Sequence, residues 1–116
     1  MVEHAEHRPA ELDLVFKALS DPTRRGLLAR LRASDRTVGE LAEPLSMSLA
    51  AVSKHVQVLE GAGLVNRRVE GRRHVCSLEP GPLTRVDAWL DHYRAYWPKR
   101  LDALQAALES DEEAGR

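Results

Sequence analysis

Two neighbouring stretches hold side chains whose types and spacing suit contact with phosphates and base edges: "SLAAVSKHVQVLE" and "VNRRVEGRRHV". On a helix, at about 100° per residue, Ala50, Ser53, Lys54 and Gln57 fall on one side of the first stretch, while Val52, Val56 and Leu59 fall on the other. The outward set is small and polar, with a single cation and no acid. A helix face that is merely solvated more often mixes Glu with Lys. Small residues allow a close approach to another surface, and Ser, Lys and Gln carry groups that hydrogen-bond phosphates or base edges. Ala50 offers a methyl group to a thymine methyl, and Ser48, placed to cap the helix, has a hydroxyl that can donate to a phosphate. In the second stretch, Arg67, Arg68, Arg72 and Arg73 flank Glu70-Gly71, a turn signal, and make a projecting basic tip. The alternative for these four is an ordinary solvated hairpin.

The charge distribution supports a local field. The chain has 116 residues and a net charge of -1. Residues 46–78 carry five Lys/Arg against two Asp/Glu, a surplus of +3, whereas residues 79–116 carry five against eight. Binding responds to the local potential more than to the net charge. The length is that of one domain, and 43% hydrophobic content supports a small core that gains from dimerisation. No apolar run is long enough for a membrane span, and "MVEHAEHRPAELD" lacks the apolar stretch of a signal peptide. A single cysteine excludes an internal disulfide, so a cytoplasmic location is expected.

The elements that must carry these residues follow from periodicity and caps. Leu12, Val15, Phe16 and Leu19 form one apolar stripe of a first helix. "SDP" at 20–22 stops it and starts a second helix with Leu27, Leu28 and Leu31 buried. Thr37 and Glu40 have capping-box spacing and open a short third helix. "LSMS" at 45–48 is the turn into the fourth, which Gly61 and Gly63 end. A hairpin follows. His55, at the core margin of the fourth helix, packs against the second helix or contacts a base. Arg24 and Arg25 touch phosphate or pair with an acid. The expected fold is mostly α with a small β-hairpin (α+β), a winged helix-turn-helix. The helix from Ser48 would enter the major groove, and the hairpin would straddle a neighbouring backbone or minor groove.

"FKALSDPTRRGLLARL", "TVGELAEPLSMSLAAVSKHVQVLEGAGLV", "GRRHVCSL" and "WLDHYRAYWPKRLDAL" together resemble the ArsR family of bacterial transcriptional repressors, from Leu12 to Leu108. The resemblance implies a homodimeric winged-helix repressor that binds palindromic operators, commonly near its own promoter. The best-known members sense metals through a Cys-x-Cys pair on the helix before the recognition helix. Here that helix, "VGELAEPL", has no cysteine. Asp87, Asp91 and His92 are the acids and histidine nearest to the C-terminal metal sites of other members, but no second histidine follows at the required spacing. No metal and no cofactor are expected, and the chain resembles a metal-independent branch. The alternative is a metal- or thiol-responsive sensor using Cys76 or these C-terminal residues. Cys76 itself reads either as a small hydrophobe in a half-buried strand or as a thiol made acidic by nearby arginines.

Four of the five aromatic residues lie between positions 89 and 97. Trp89, Tyr93 and Trp97 recur at i+4 and continue through Leu101, Leu104 and Leu108. Such a stripe calls for burial, at a dimer interface shared with Leu12, Val15 and Phe16 of the first helix or around a small apolar effector. Pro98 removes a helical N–H, so a break with a new helix from that point is expected. Residues 1–10 read as a flexible N-terminus, 11–109 as the DNA-binding and dimerisation domain, and 110–116 as a flexible acidic tail. No phosphate-binding Gly-rich loop or nucleophile–base pair is present, so an enzyme is not expected. The expected partners are double-stranded operator DNA and a second copy of the chain, with no membrane.

Overall fold

The computed structural model describes the backbone of residues 2–114 and the side chains of residues 11–112. The chain divides into two compact units, one running to Arg85 and the other beginning at Val86. The first unit holds α1 (Val2–Leu19), α2 (Pro22–Ala33), β1 (Arg36–Thr37), α3 (Val38–Ala42), α4 (Leu49–Gly61), β2 (Val65–Glu70), β3 (Arg73–Leu78) and the start of α5 (Gly81–Arg94). The second holds the rest of α5 and α6 (Trp97–Ala114). Helical backbone runs through 2–10 and 110–114, where the sequence suggests loose ends. Met1 and residues 115 and 116 lie outside the described residues.

In the first unit each helix turns its apolar side inward. Val15 and Ala18 of α1, Leu27 and Leu31 of α2, Leu41 of α3, and Val52, Val56 and Leu59 of α4 are buried together. Burial of each large side chain is worth roughly 1.5–3 kcal/mol. Val15 is therefore a core residue of the single chain, which corrects its assignment to a dimer interface. Leu12 is half-buried and Phe16 is on the surface.

The helix ends explain where the elements stop. Asp21 caps α2, accepting from the backbone N–H of Thr23 at 2.8 Å and of Arg24 at 3.3 Å. Arg24 closes the preceding helix: its Nε donates to the Ala18 carbonyl at 2.7 Å and its Nη2 to the Lys17 carbonyl at 2.9 Å. Arg25 donates to the Leu19 carbonyl at 2.7 Å. At the end of α4 the Leu64 N–H reaches the Leu59 carbonyl and the Gly63 N–H reaches the Glu60 carbonyl, both at 2.9 Å. This is the Schellman pattern, and Gly63 supplies its left-handed residue with φ +76°. A Cβ at Gly63 would also stand 3.3 Å from Pro82 Cγ.

The sheet is antiparallel in the order β1-β3-β2. Arg67 faces Cys76 and Glu70 faces Arg73 across the hairpin, which leaves Gly71-Arg72 as the two-residue loop. The turn thus sits one residue later than the Glu70-Gly71 expected from the sequence. Gly71, at φ +62°, occupies the first loop position, where such a turn needs glycine. Strand β1 is not foreshadowed in the sequence; two residues are too few to show an alternating pattern.

In the second unit α5 ends at Arg94, and α6 begins at Trp97 with Pro98 in its first turn, the break expected from Pro98. The Tyr96 N–H donates to the Tyr93 carbonyl at 2.9 Å across the gap. The Trp89 and Tyr93 rings lie 5.1 Å apart, tilted by 56°. Trp89, Tyr93, Trp97, Leu101 and Leu104 are all exposed in the single chain, Leu101 to 64%.

Candidate nucleic-acid interface

The helix-turn-helix is built by short-range capping and by one arginine from outside it. Thr37 and Glu40 form the reciprocal box that starts α3: the Glu40 N–H donates to the Thr37 hydroxyl at 3.1 Å, and the Thr37 N–H donates to Glu40 Oε1 at 2.9 Å. Arg30 of α2 forks over the end of α3, with Nη1 donating to the Leu41 carbonyl at 2.7 Å and Nη2 to the Glu40 carbonyl at 2.8 Å. Ser48 caps α4 by accepting from the Ala51 N–H at 3.1 Å. A Ser at this position satisfies a backbone donor and keeps its own O–H free to donate.

The outward side of α4 is open. Ser48, Ala50, Lys54 and Gln57 are exposed and Ser53 is half-buried. Lys54 has no ion-pair partner among the described residues. His55 stands on the other side, its Nδ1 3.2 Å from Arg24 Nη1 of α2. Of its two readings, packing against the second helix is the one this geometry favours.

The four wing arginines divide into two pairs. Arg67 is 19% exposed, and its Nε and Nη2 both donate to Glu60 Oε1 of α4, at 3.1 and 2.7 Å. Arg68 donates to Glu70 at 2.7 Å and to Asp35 at 2.9 Å. These two tie the wing to the body, in contrast to the free cations read from sequence. Arg72 sits at the loop, exposed and without an ion-pair partner among the described residues. Arg73 is largely exposed, and its nearest acid, Glu40, is 4.0 Å away. Sequence spacing places all four arginines at one tip. What it cannot show is that Asp35 and Glu60, distant along the chain, fold against two of them.

An open groove of about 800 Å³ joins these parts. It is lined by Thr37, Val38, Gly39 and Glu40 at the start of α3, by Leu49, Ala50 and Ser53 of α4, and by Arg67, Arg72, Arg73 and His74 of the wing, while Lys54 and Gln57 lie outside it. Leu49 is a lining residue that the helix-face reading passes over, although at about 100° per residue it borders the same side as Ser53. Glu40 brings one acid into the groove. Hydrogen bonding from Thr37, its backbone N–H foremost, holds the Glu40 carboxyl below its ordinary range, so it stays ionised near Arg73.

The alternative sensor sites have a different chemistry. Cys76 is fully buried in the middle strand, paired to Arg36 on one side and Arg67 on the other. Burial pushes its thiol up, against the opposing pull of Arg67, which is the reverse of what a reactive thiolate needs. Asp87 and Asp91 both accept hydrogen bonds from Arg94. No group of three or more His, Cys, Asp or Glu is placed to hold a metal among the described residues.

A short helix, a turn, a second helix with an open polar face, and a hairpin with an arginine tip define a winged helix-turn-helix, a class that binds duplex DNA. Residues 19–68 match the model of a helix-turn-helix domain family. The chain is 37% identical over 99 residues to the HTH-type transcriptional regulator Rv2034 of Mycobacterium tuberculosis, covering 85% of this chain and 90% of that protein. It is 36% identical to the transcriptional repressor SdpR of Bacillus subtilis, covering 66% of this chain and 84% of the relative. Among solved structures, an ArsR family transcriptional regulator, RHA00566, superposes with a TM-score of 0.73 at 41% identity, covering 78% of this chain and 93% of that one. The homodimeric winged helix-turn-helix DNA-binding domain of a Mycobacterium bovis protein superposes with a TM-score of 0.60 at 27% identity, covering 77% of this chain and 80% of the other. The chain belongs to the ArsR family of winged helix-turn-helix transcriptional regulators.

Proposed function

We propose that the chain is a sequence-specific, cytoplasmic transcriptional repressor that binds a palindromic operator as a homodimer and regulates its own expression. The observation that carries this reading is the groove in which Ala50 and Ser53 of the outer side of α4 lie together with Arg72 and Arg73. Ala50, Ser53, Lys54 and Gln57 face base edges in the major groove, and Ser48 donates to a phosphate at the helix start. Arg72 and Arg73 hold phosphates from the wing. Arg67 and Arg68 act one step back, fixing the wing against α4 and Asp35. The domain comprises residues 11–109.

The dimer is proposed to form through the first and C-terminal helices. Phe16 and the exposed stripe of Trp89, Tyr93, Trp97, Leu101 and Leu104 supply apolar surface that a second copy would cover, and the related Mycobacterium bovis domain is homodimeric. Two-fold symmetry then sets half-sites one helical turn, about 34–36 Å, or a multiple apart. The test is a gel-shift titration of the protein on its own upstream region against an equal length of unrelated DNA. A defined complex with the upstream region that survives competitor is expected. Equal binding to both duplexes at every salt concentration contradicts the proposal.

A further inference from the structure

We propose that Leu49 is a specificity-determining residue that reads a thymine methyl group in the major groove; this rests on the DNA-binding reading above. Leu49 is the first residue of α4, directly after the Ser48 cap. The residue is 58% exposed, while Val52, Val56 and Leu59 of the same helix are fully buried. It lines the groove beside Ala50 and lies one turn before Ser53, so Leu49 and Ser53 share one edge of the outward side.

A lone exposed leucine on a surface needs no explanation by itself. This one is at the N-terminal end of the helix that faces DNA, where such helices meet base edges. It also lines the same groove as Arg72 and Arg73. Those cations take phosphates, which sets the base edges opposite the helix start. A leucine there has no hydrogen bond to offer. The apolar feature that a duplex presents in the major groove is the C5-methyl of thymine, and contact with it removes apolar area from water on both partners. Leu49 therefore favours thymine at one position in each half-site.

Deoxyuridine lacks only that methyl, so it isolates the contact. The wild-type protein selects its tightest duplex from a randomised pool. Each thymine of that duplex is then replaced singly by deoxyuridine, and affinities are measured for wild type, Leu49→Ala and Leu49→Gln at one salt concentration, with circular dichroism as the check on folding. One thymine per half-site should cost wild type about fourfold, the factor for one methyl-sized apolar group. The same replacement should cost Leu49→Ala nothing, and Leu49→Gln should shift preference at that base pair toward adenine. An identical deoxyuridine profile for wild type and Leu49→Ala overturns the inference, as does a profile that is flat for both. If wild type enriches no sequence at all, the functional reading falls together with it; if it enriches one and only the Leu49 profile fails, the functional reading stands.

Discussion

Arg24 offers a sharp test of which arginines face inward. It follows Pro22 and Thr23 at the start of α2, beside the helix-turn-helix, where charge alone would make it a candidate to touch phosphate. Its side chain is 13% exposed, it donates to the carbonyls of Ala18 and Lys17, and it meets His55 Nδ1 at 3.2 Å. Asp21 lies 3.8 Å away. Arg24→Ala leaves the last carbonyls of α1 and the imidazole without this donor. Hydrogen bonds from a charged donor are worth about 1.5–3 kcal/mol each, and partial solvation of the acceptors after truncation reduces the sum, so a loss of about 2–4 kcal/mol is expected. For a domain of this size that lowers Tm by on the order of 10–20 °C. Arg24→Lys keeps the charge but lacks the planar fork, so it should recover less than half of the loss. Urea unfolding followed by circular dichroism measures both variants. An unchanged unfolding midpoint for Arg24→Ala, combined with a flatter salt dependence of DNA binding, would refute the structural role and put Arg24 on a phosphate.

Three further outcomes follow from the same structure. The carboxyls of Asp21, Glu40 and Glu70 are all held below their ordinary range: at Asp21 desolvation pushes upward and is outweighed by the backbone N–H donors of Arg24 and Thr23 together with nearby positive charge, Glu40 is held by Thr37, and Glu70 by Arg68. Folded values below unfolded ones contribute stability that is complete above the ordinary carboxylate range and lost as pH falls from that range through the lower folded values. Urea midpoints should therefore drop between neutral pH and about pH 3, less steeply in Glu40→Gln. Cys76, buried with a raised thiol, should react with a thiol reagent no faster than the protein unfolds, as read by the absorbance of the released thiolate. Leu101→Asp with Leu104→Asp should convert dimer to monomer in analytical ultracentrifugation while circular dichroism retains its helical signal; a dimer of unchanged affinity would place the interface elsewhere.

Local signals carry most of the fold into the sequence. The Thr37–Glu40 box, the Ser48 cap and Gly63 after α4 act through neighbours within a few residues, so their spacing alone announces them. The inward side of α4 is legible for the same reason, because one helical period sorts Val52, Val56 and Leu59 from Ala50, Ser53 and Lys54. What stays hidden depends on partners distant in sequence. Arg30 closing α3, Arg67 docking on Glu60 and Arg68 reaching Asp35 each need the tertiary fold to bring the acceptor close. In sequence the wing therefore looks like four equivalent cations, although two of them serve the scaffold. Val15 is misassigned from sequence because an apolar stripe on a helix does not say which of its members the chain itself covers.

In the proposed complex the wing tip holds phosphates while the outer side of α4 reads bases, and one measurement separates the two roles: binding titrations on the selected operator and its point mutants across a range of salt concentrations. The Arg72→Ala, Arg73→Ala double variant should weaken specific and non-specific binding by similar factors and flatten the salt slope by about 0.9 for each phosphate that the wing no longer neutralises. Gln57→Ala should leave the slope nearly unchanged and relax preference at one base position per half-site, at about 1–3 kcal/mol on the best operator. If Gln57→Ala instead lowers binding to every sequence equally, or if the wing variant alters base preference without touching the slope, the placement of α4 in the major groove is wrong.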